Sequence, residues 1–259
     1  MVKLVQFTDR KREAGFTLVE LAVVMIIIGL LIGGVLKGQE LIANAQVAAT
    51  VAQVKAFDAA TTTFRDMFDS MPGDMAAPAT RLPNCAAAPC NVAGNGNRRV
   101  DGGAADPFSA APGGEMLAFW AQMNAADLVS GIDPIRGNVW GGTMPGAKIG
   151  GGFTAGYWVG NALMQGQGTN GLAGNVRAGH YLSLYNSVNA AVDIVGFLTP
   201  NQAFRIDSKL DDGVPSSGSV LAAGVPAGAG GCANAAAPAG IYNEVIAAGV
   251  CNLYVRFQN

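Results

Sequence analysis

Few side chains in this 259-residue chain have the chemistry for a reactive site, and their spacing narrows what they can do. His180 is the single histidine. That excludes a multi-histidine metal site and leaves little for a His-based triad. It lies beside a predicted strand with no evident nucleophile, so a structural or surface role is expected. Four cysteines, Cys85, Cys90, Cys232 and Cys251, allow three pairings. An even count outside the cytoplasm favours disulfides. Zinc is the alternative, but no CxxC spacing occurs. Asp207, Asp211 and Asp212, followed by Gly213, place three carboxylates near a turn. Calcium takes several carboxylate oxygens on a flexible loop. The competing and preferred reading is a helix end with solvated charges and an Asp-Gly turn. The Asx-rich run from Asn95 to Gly102 has Arg99 where an EF-hand loop needs an oxygen ligand. Gly94-Asn95-Gly96 and Gly150-Gly151-Gly152 lack the Lys-Ser/Thr pair of a phosphate loop. Trp120, Trp140 and Trp158 fit core or turn packing better than a glycan site. No enzyme motif emerges, and the chain is not expected to be an enzyme.

One more carboxylate is out of place. Glu20 is the single charge in Phe16–Leu36, a run of 21 residues. At 1.5 Å per residue the run is about 31 Å long as a helix, enough to cross a bilayer. Later apolar runs are short and broken by Gly, Pro, Asn or Asp. Lys3, Arg10, Lys11 and Arg12 outnumber Asp9 and Glu13 ahead of the run. The positive-inside rule keeps that end in the cytoplasm and the body on the far side. The apolar run flows into a longer helical pattern, so a signal-peptide cut after it would divide one element. A cut before it makes better sense. Charged residues are 13% of the chain, about half the usual share. The net charge of −2 offers no basic field for nucleic acid, and no nucleic-acid binding is expected.

Lys11-Arg12-Glu13-Ala14-Gly15 followed by Phe16-Thr17-Leu18-Val19-Glu20 resembles the processing site of type IV prepilins and type II secretion pseudopilins. The resemblance implies cleavage between Gly15 and Phe16 by prepilin peptidase and N-methylation of Phe16. It further implies an inner-membrane assembly platform and a homo- or hetero-polymer with other pilins. A carboxylate inside a membrane helix costs roughly 2.5–3.5 kcal/mol on insertion scales, so such residues usually have a partner. In pilin-like filaments the implied partner of Glu20 is the Phe16 amine of a neighbouring subunit. The alternative is a Glu that snorkels to the nearby interface. Many pilins have a proline where Lys37 stands here, so the helix bend associated with it is in doubt.

The elements that must position these residues follow from periodicity. No proline occurs between Phe16 and Met71. Val47, Val51, Val54, Phe57, Thr61, Phe64 and Phe68 recur in steps of three and four, a helical stripe expected to pack under a sheet. One helix is predicted from Phe16 to about Ser70, ended by Met71-Pro72-Gly73-Asp74. Short helices are predicted from Gly114 to about Val129, with Leu117, Trp120, Met123 (or Asn124) and Leu128 inward, and from Pro200 to about Leu210 behind a Thr199 N-cap. Strand candidates are Phe153–Val159, Tyr181–Tyr185, Ala191–Leu198 and Leu253–Phe257. Gly213–Gly240 reads as a surface loop. The chain thus divides into a leader (1–15), a membrane and polymerisation helix (16–37), an amphipathic half (38–70) and a periplasmic or extracellular head (71–259). The fold class is α+β, a long N-terminal helix packed on an antiparallel sheet.

Met71-Pro72-Gly73-Asp74, the Trp120 helix, the Leu-Thr-Pro at 198–200 and the Ile206–Gly213 run also resemble larger pilin-like proteins. The preferred disulfides are Cys85–Cys90 and Cys232–Cys251. The second resembles the disulfide-bounded variable region of many pilins and is expected to close a loop just before the last strand. Calcium in the heads of some pseudopilins keeps the Asp207, Asp211 and Asp212 site in view. The resemblance implies a structural subunit of a type IV pilus or pilus-like filament. It would be single-pass in the inner membrane before assembly, then part of a cell-surface or periplasm-spanning filament. The alternatives are a minor tip-located adhesin, using the Cys232–Cys251 loop and the Gly213–Gly240 insertion, or a secretion pseudopilin. Glu20 argues for ordinary docking along the filament.

Overall fold

A computed structural model describes residues 16–101, 114–160, 176–186, 196–224, 231–233 and 240–257. Contacts divide the chain into two units, 1–44 and 45–259. In the first, the described residues run into helix α1, Leu18–Phe68. Its apolar side chains up to Leu36 are open to the surroundings; Ile26 is 63% and Leu30 73% exposed. The helix passes unbroken through Gly33-Gly34 and through Lys37, whose ammonium meets Glu40 at 2.7 Å.

In the second unit α1 turns amphipathic. Val47, Thr50, Val51, Val54, Phe57, Ala60, Thr61 and Phe64 are buried along one side. Phe57 packs edge-on against Trp120 at 5.0 Å and against Phe153 at 5.3 Å. The stripe therefore meets both a helix and the sheet. Gln53 fixes the register: its amide donates to Gly146 O at 3.0 Å and accepts from Lys148 N at 2.9 Å. The helix stops at Phe68, two residues before the expected Ser70. Asp69 takes a left-handed φ of 46° and returns its N–H to Arg65 O at 2.8 Å. The Arg81 guanidinium, from the short helix α2 (Pro78–Arg81), donates to the exposed Phe68 carbonyl.

Helix α3 spans Glu115–Ala125 and ends short of the expected Val129, because Asp127 is left-handed (φ 56°). It is buried nearly all round, from Met116 to Met123, so a single inward face was too narrow an expectation. A 3-10 turn covers Pro134–Arg136. Strands β1 (Gly152–Trp158), β2 (Gly179–Tyr185), β3 (Val220–Gly224) and β4 (Cys251–Phe257) form an antiparallel sheet in the order β1-β2-β4-β3. Register pairs include Ala155 with Leu182, Leu182 with Val255, and Val220 with Val255. Alternate residues face opposite ways. Phe153, Leu182, Leu184, Leu253 and Val255 join the core under α1 and α3. Trp158, Tyr181, Tyr185, Leu221 and Tyr254 form a second cluster on the other face.

The α+β architecture of a long helix on an antiparallel sheet is thus present. The strand expected over Ala191–Leu198 has residues 191–195 outside the described set; Leu198 makes an isolated bridge to Cys251. Strand β3 lies inside Gly213–Gly240, where the sequence predicts a surface loop. Its five residues lack a polar alternation, and pairing with β4 decides their conformation. Helix α4, Pro200–Leu210, begins as expected, with a full capping box between Thr199 and Gln202.

Candidate functional site

At the start of α1, Thr17 and Glu20 hold each other. Thr17 N and Thr17 Oγ1 donate to Glu20 Oε2 at 2.9 and 2.8 Å, and Glu20 N donates to Thr17 Oγ1 at 3.3 Å. Thr-x-x-Glu is a capping-box spacing, so this carboxylate serves its own helix terminus in the single chain. Phe16 beside it is 90% exposed. Gly15 and the residues before it lie outside the described residues. An apolar helix long enough to cross a membrane thus begins with a carboxylate bonded locally to Thr17.

Residues 10–36 match the family model described as the prokaryotic N-terminal methylation motif. The chain carries the type IV pilin and pseudopilin signature. No curated protein and no solved structure matches the chain. The signature implies processing by prepilin peptidase and assembly with other pilins. Joined to the apolar helix, it is consistent with membrane anchoring before assembly.

In the second unit the cysteines pair as Cys85–Cys90 and Cys232–Cys251, with Cα separations of 5.1 and 5.0 Å. Cys251 is the first residue of β4, so the larger ring ends on the strand rather than before it. Part of that ring faces inward. Tyr242 is 3% exposed and donates its hydroxyl to Asp207 Oδ2 at 2.8 Å, whereas Val245 is 92% exposed.

Asp207, Asp211 and Asp212 do converge, with one oxygen from each within 4.8 Å of the others. Each is already an acceptor. Asp207 takes Tyr242 OH and Gly213 N (3.3 Å), and Asp211 takes Ser219 N and Val220 N (3.3 Å). Asp212 takes Val214 N (2.8 Å) and Ser217 Oγ (2.5 Å). Calcium needs further oxygens, but hydrogen donors surround these carboxylates. These bonds build the turn that carries α4 into β3. Burial pushes the Asp207 carboxyl up to about 7, against the pull of Tyr242 and Gly213 and with help from the Asp212 and Asp211 charges.

A second polar centre escaped sequence reasoning. Asp74 and Glu115 are 1% and 8% exposed. Asp74 accepts Gly96 N at 2.6 Å and Arg98 N, while Glu115 accepts Asn95 N at 3.1 Å and Asp101 N at 2.7 Å. Burial raises the Glu115 carboxyl above its ordinary range, and these two N–H groups oppose the shift. The Asn95–Asp101 loop is therefore wrapped around two buried carboxylates. Gln122 completes the centre, accepting Gly73 N at 2.6 Å and donating to Cys90 O and Val92 O. The available signal was Met71-Pro72-Gly73-Asp74, placed where the chain leaves α1. Trp120 is fully buried, Trp158 lies in the second cluster, and Trp140 donates to Asn186 O at 2.8 Å.

Proposed function

We propose that this chain is a structural subunit of a type IV pilus or pilus-like filament, assembled through Phe16–Leu36 after removal of residues 1–15. The methylation motif at 10–36, continuous with an uncovered apolar helix, carries this reading. Such a surface is stable in lipid, and outside lipid it needs sister helices. Extraction from the bilayer then exchanges one apolar surrounding for another. Glu20 sets the axial register by exchanging its Thr17 bonds for the N-methylated Phe16 amine of a docked neighbour. Head-to-tail contacts of this kind generate open filaments.

Glu20→Ala tests the mechanism. Cleavage of the precursor, read by mass spectrometry of the membrane fraction, should persist. Sheared filament yield should fall at least about tenfold, as expected when a buried charge partner is lost. Normal filament yield would overturn the role of Glu20. Abundance of the chain in sheared filaments also separates a principal subunit from a minor tip-located one, and the presence or absence of surface filaments separates a pilus from a secretion pseudopilus.

A further inference from the structure

Helix α1 runs unbroken from Leu18 to Phe68, although Gly29, Gly33, Gly34 and Gly38 all fall in its first half. Glycine is a poor helix former, so its use here needs a reason. Nothing within the chain supplies one: a Cβ built at any of these four positions meets no atom within 4 Å. On an apolar helix of membrane-spanning length, such space suits a second helix. Lipid tails are as apolar as leucine, so helices in a bilayer associate through close packing at small residues and through polar pairs. The glycines form two Gly-x-x-x-Gly pairs on opposite sides. A helix turns about 100° per residue. Val24, Ile27, Leu31, Gly34 and Gly38 lie within about 40° of Glu20 and make the front. Gly29 and Gly33 lie about 140–180° round, on the back. Lys37 and Glu40, the next charges along the helix, pair with each other at 2.7 Å and lie about 100° and 160° from Glu20. Glu20 is therefore the single charged side chain of the front as far as Ile42.

The front notch stands five residues beyond the back one, about 7.5 Å along the axis. Once residues 1–15 are removed, the Phe16 amine is the end of the helix. A displacement of four to five residues between parallel copies keeps Glu20 of one within side-chain reach of the amine of the other. We propose that the front notch, Gly34 and Gly38, of one copy packs on the back notch, Gly29 and Gly33, of a second copy, with Glu20 of the first against the Phe16 amine of the second. The proposal rests on the filament reading above and adds which two helix faces meet. Charge complementarity and the glycine offset are separate features, and they select the same displacement. That displacement also sets Ile27 over the small Ala22, large against small. Because front meets back, every copy offers both halves, and addition continues without closing.

The test uses filaments sheared from cells that express the full chain. All four native cysteines are paired, so added thiols have no native partner. Gly29→Cys combined with Gly34→Cys places thiols on opposite sides of one helix, where they bond only between copies. On mild oxidation this double variant, and Gly33→Cys combined with Gly38→Cys, should give a ladder of covalent multimers. The single variants, and Gly29→Cys combined with Gly38→Cys, which breaks the five-residue offset, should give at most about a tenth as much. Gly34→Ala should keep most of the filament yield, whereas Gly34→Leu should lose at least about tenfold with leader removal intact. Wild-type filaments with no ladder from the two matched pairs, or an equal ladder from the mismatched pair, would overturn this register and leave the filament reading standing. Equal losses from alanine and leucine would overturn the close approach. Absence of the wild-type chain from sheared filaments and from any periplasmic polymer would overturn the filament reading itself, and this inference with it.

Discussion

Two buried titratable groups in the head oppose each other. Asp207 ionises near pH 3.8 in an unfolded chain but near 7 when folded. Between those values the native state holds a proton that the unfolded state lacks. Its contribution is therefore full below about pH 3.8 and declines as pH rises to about 7, at about 1.4 kcal/mol per pH unit. His180 shifts the other way, from 6.5 to about 4. Its contribution is full above about 6.5 and is lost as pH falls towards 4. Across about pH 4–6.5 these two slopes offset, while the raised Glu115 carboxyl adds a decline of the same sign as that of Asp207. Asp207→Asn removes one slope while an amide oxygen still accepts Tyr242 OH. The variant should match wild type near pH 4 and exceed it at pH 8 by a few kcal/mol. Denaturant melts across this range in detergent would check the claim; an Asp207→Asn profile parallel to that of wild type would contradict it.

At the scale of elements, the segment leaving α1 depends on one glycine. Gly73 has φ +86°, and a Cβ there would lie 2.3 Å from Glu115 O and 3.1 Å from Phe119 N. Gly96 has a similar φ of +76° but open space around it. Gly96→Ala should thus cost about 1 kcal/mol of left-handed strain. Gly73→Ala adds a backbone collision with α3 and should cost at least about 3 kcal/mol. Thermal unfolding of the two variants separates strain from collision, and equal losses would show that α3 yields. In α4 the Thr199 capping box predicts a milder effect. Thr199→Ala should lower stability by about 1 kcal/mol, read from the same melts. That cap was visible in sequence because Thr-Pro-x-Gln is local chemistry. The burial of α3 was not, since α1, the sheet and the Cys85–Cys90 segment cover it from different sides.

At the scale of the whole molecule, the Cys232–Cys251 disulfide joins distant segments. It fastens residues 231–233 to β4, while Tyr242 within the ring reaches α4 through Asp207. Replacing both cysteines with serine should cost about 2–5 kcal/mol. The Cys85–Cys90 ring spans a sequence separation of 5 against 19, and its loss should cost about 1 kcal/mol less by loop entropy. Comparing denaturant midpoints of the two double variants tests the order. Beyond the head, Glu20 belongs to two levels at once. Within a chain it caps α1 through Thr17, and in our reading it becomes the docking charge of a polymer.

The sequence alone determined whatever is contiguous. The charged start, the apolar run with its lone Glu20, the helical stripe from Val47 to Phe64 and the Thr199 cap all follow from neighbours three or four residues apart. Tertiary structure alone decided what is assembled from separated segments. The order β1-β2-β4-β3 and the existence of β3 arise from pairing across long connections, which no local pattern encodes. The same holds for the acid centre of Asp74 and Glu115, separated in sequence but joined through the Asn95–Asp101 backbone. A side chain's spacing along a helix is fixed by covalent geometry, but its partner across the fold is chosen by packing.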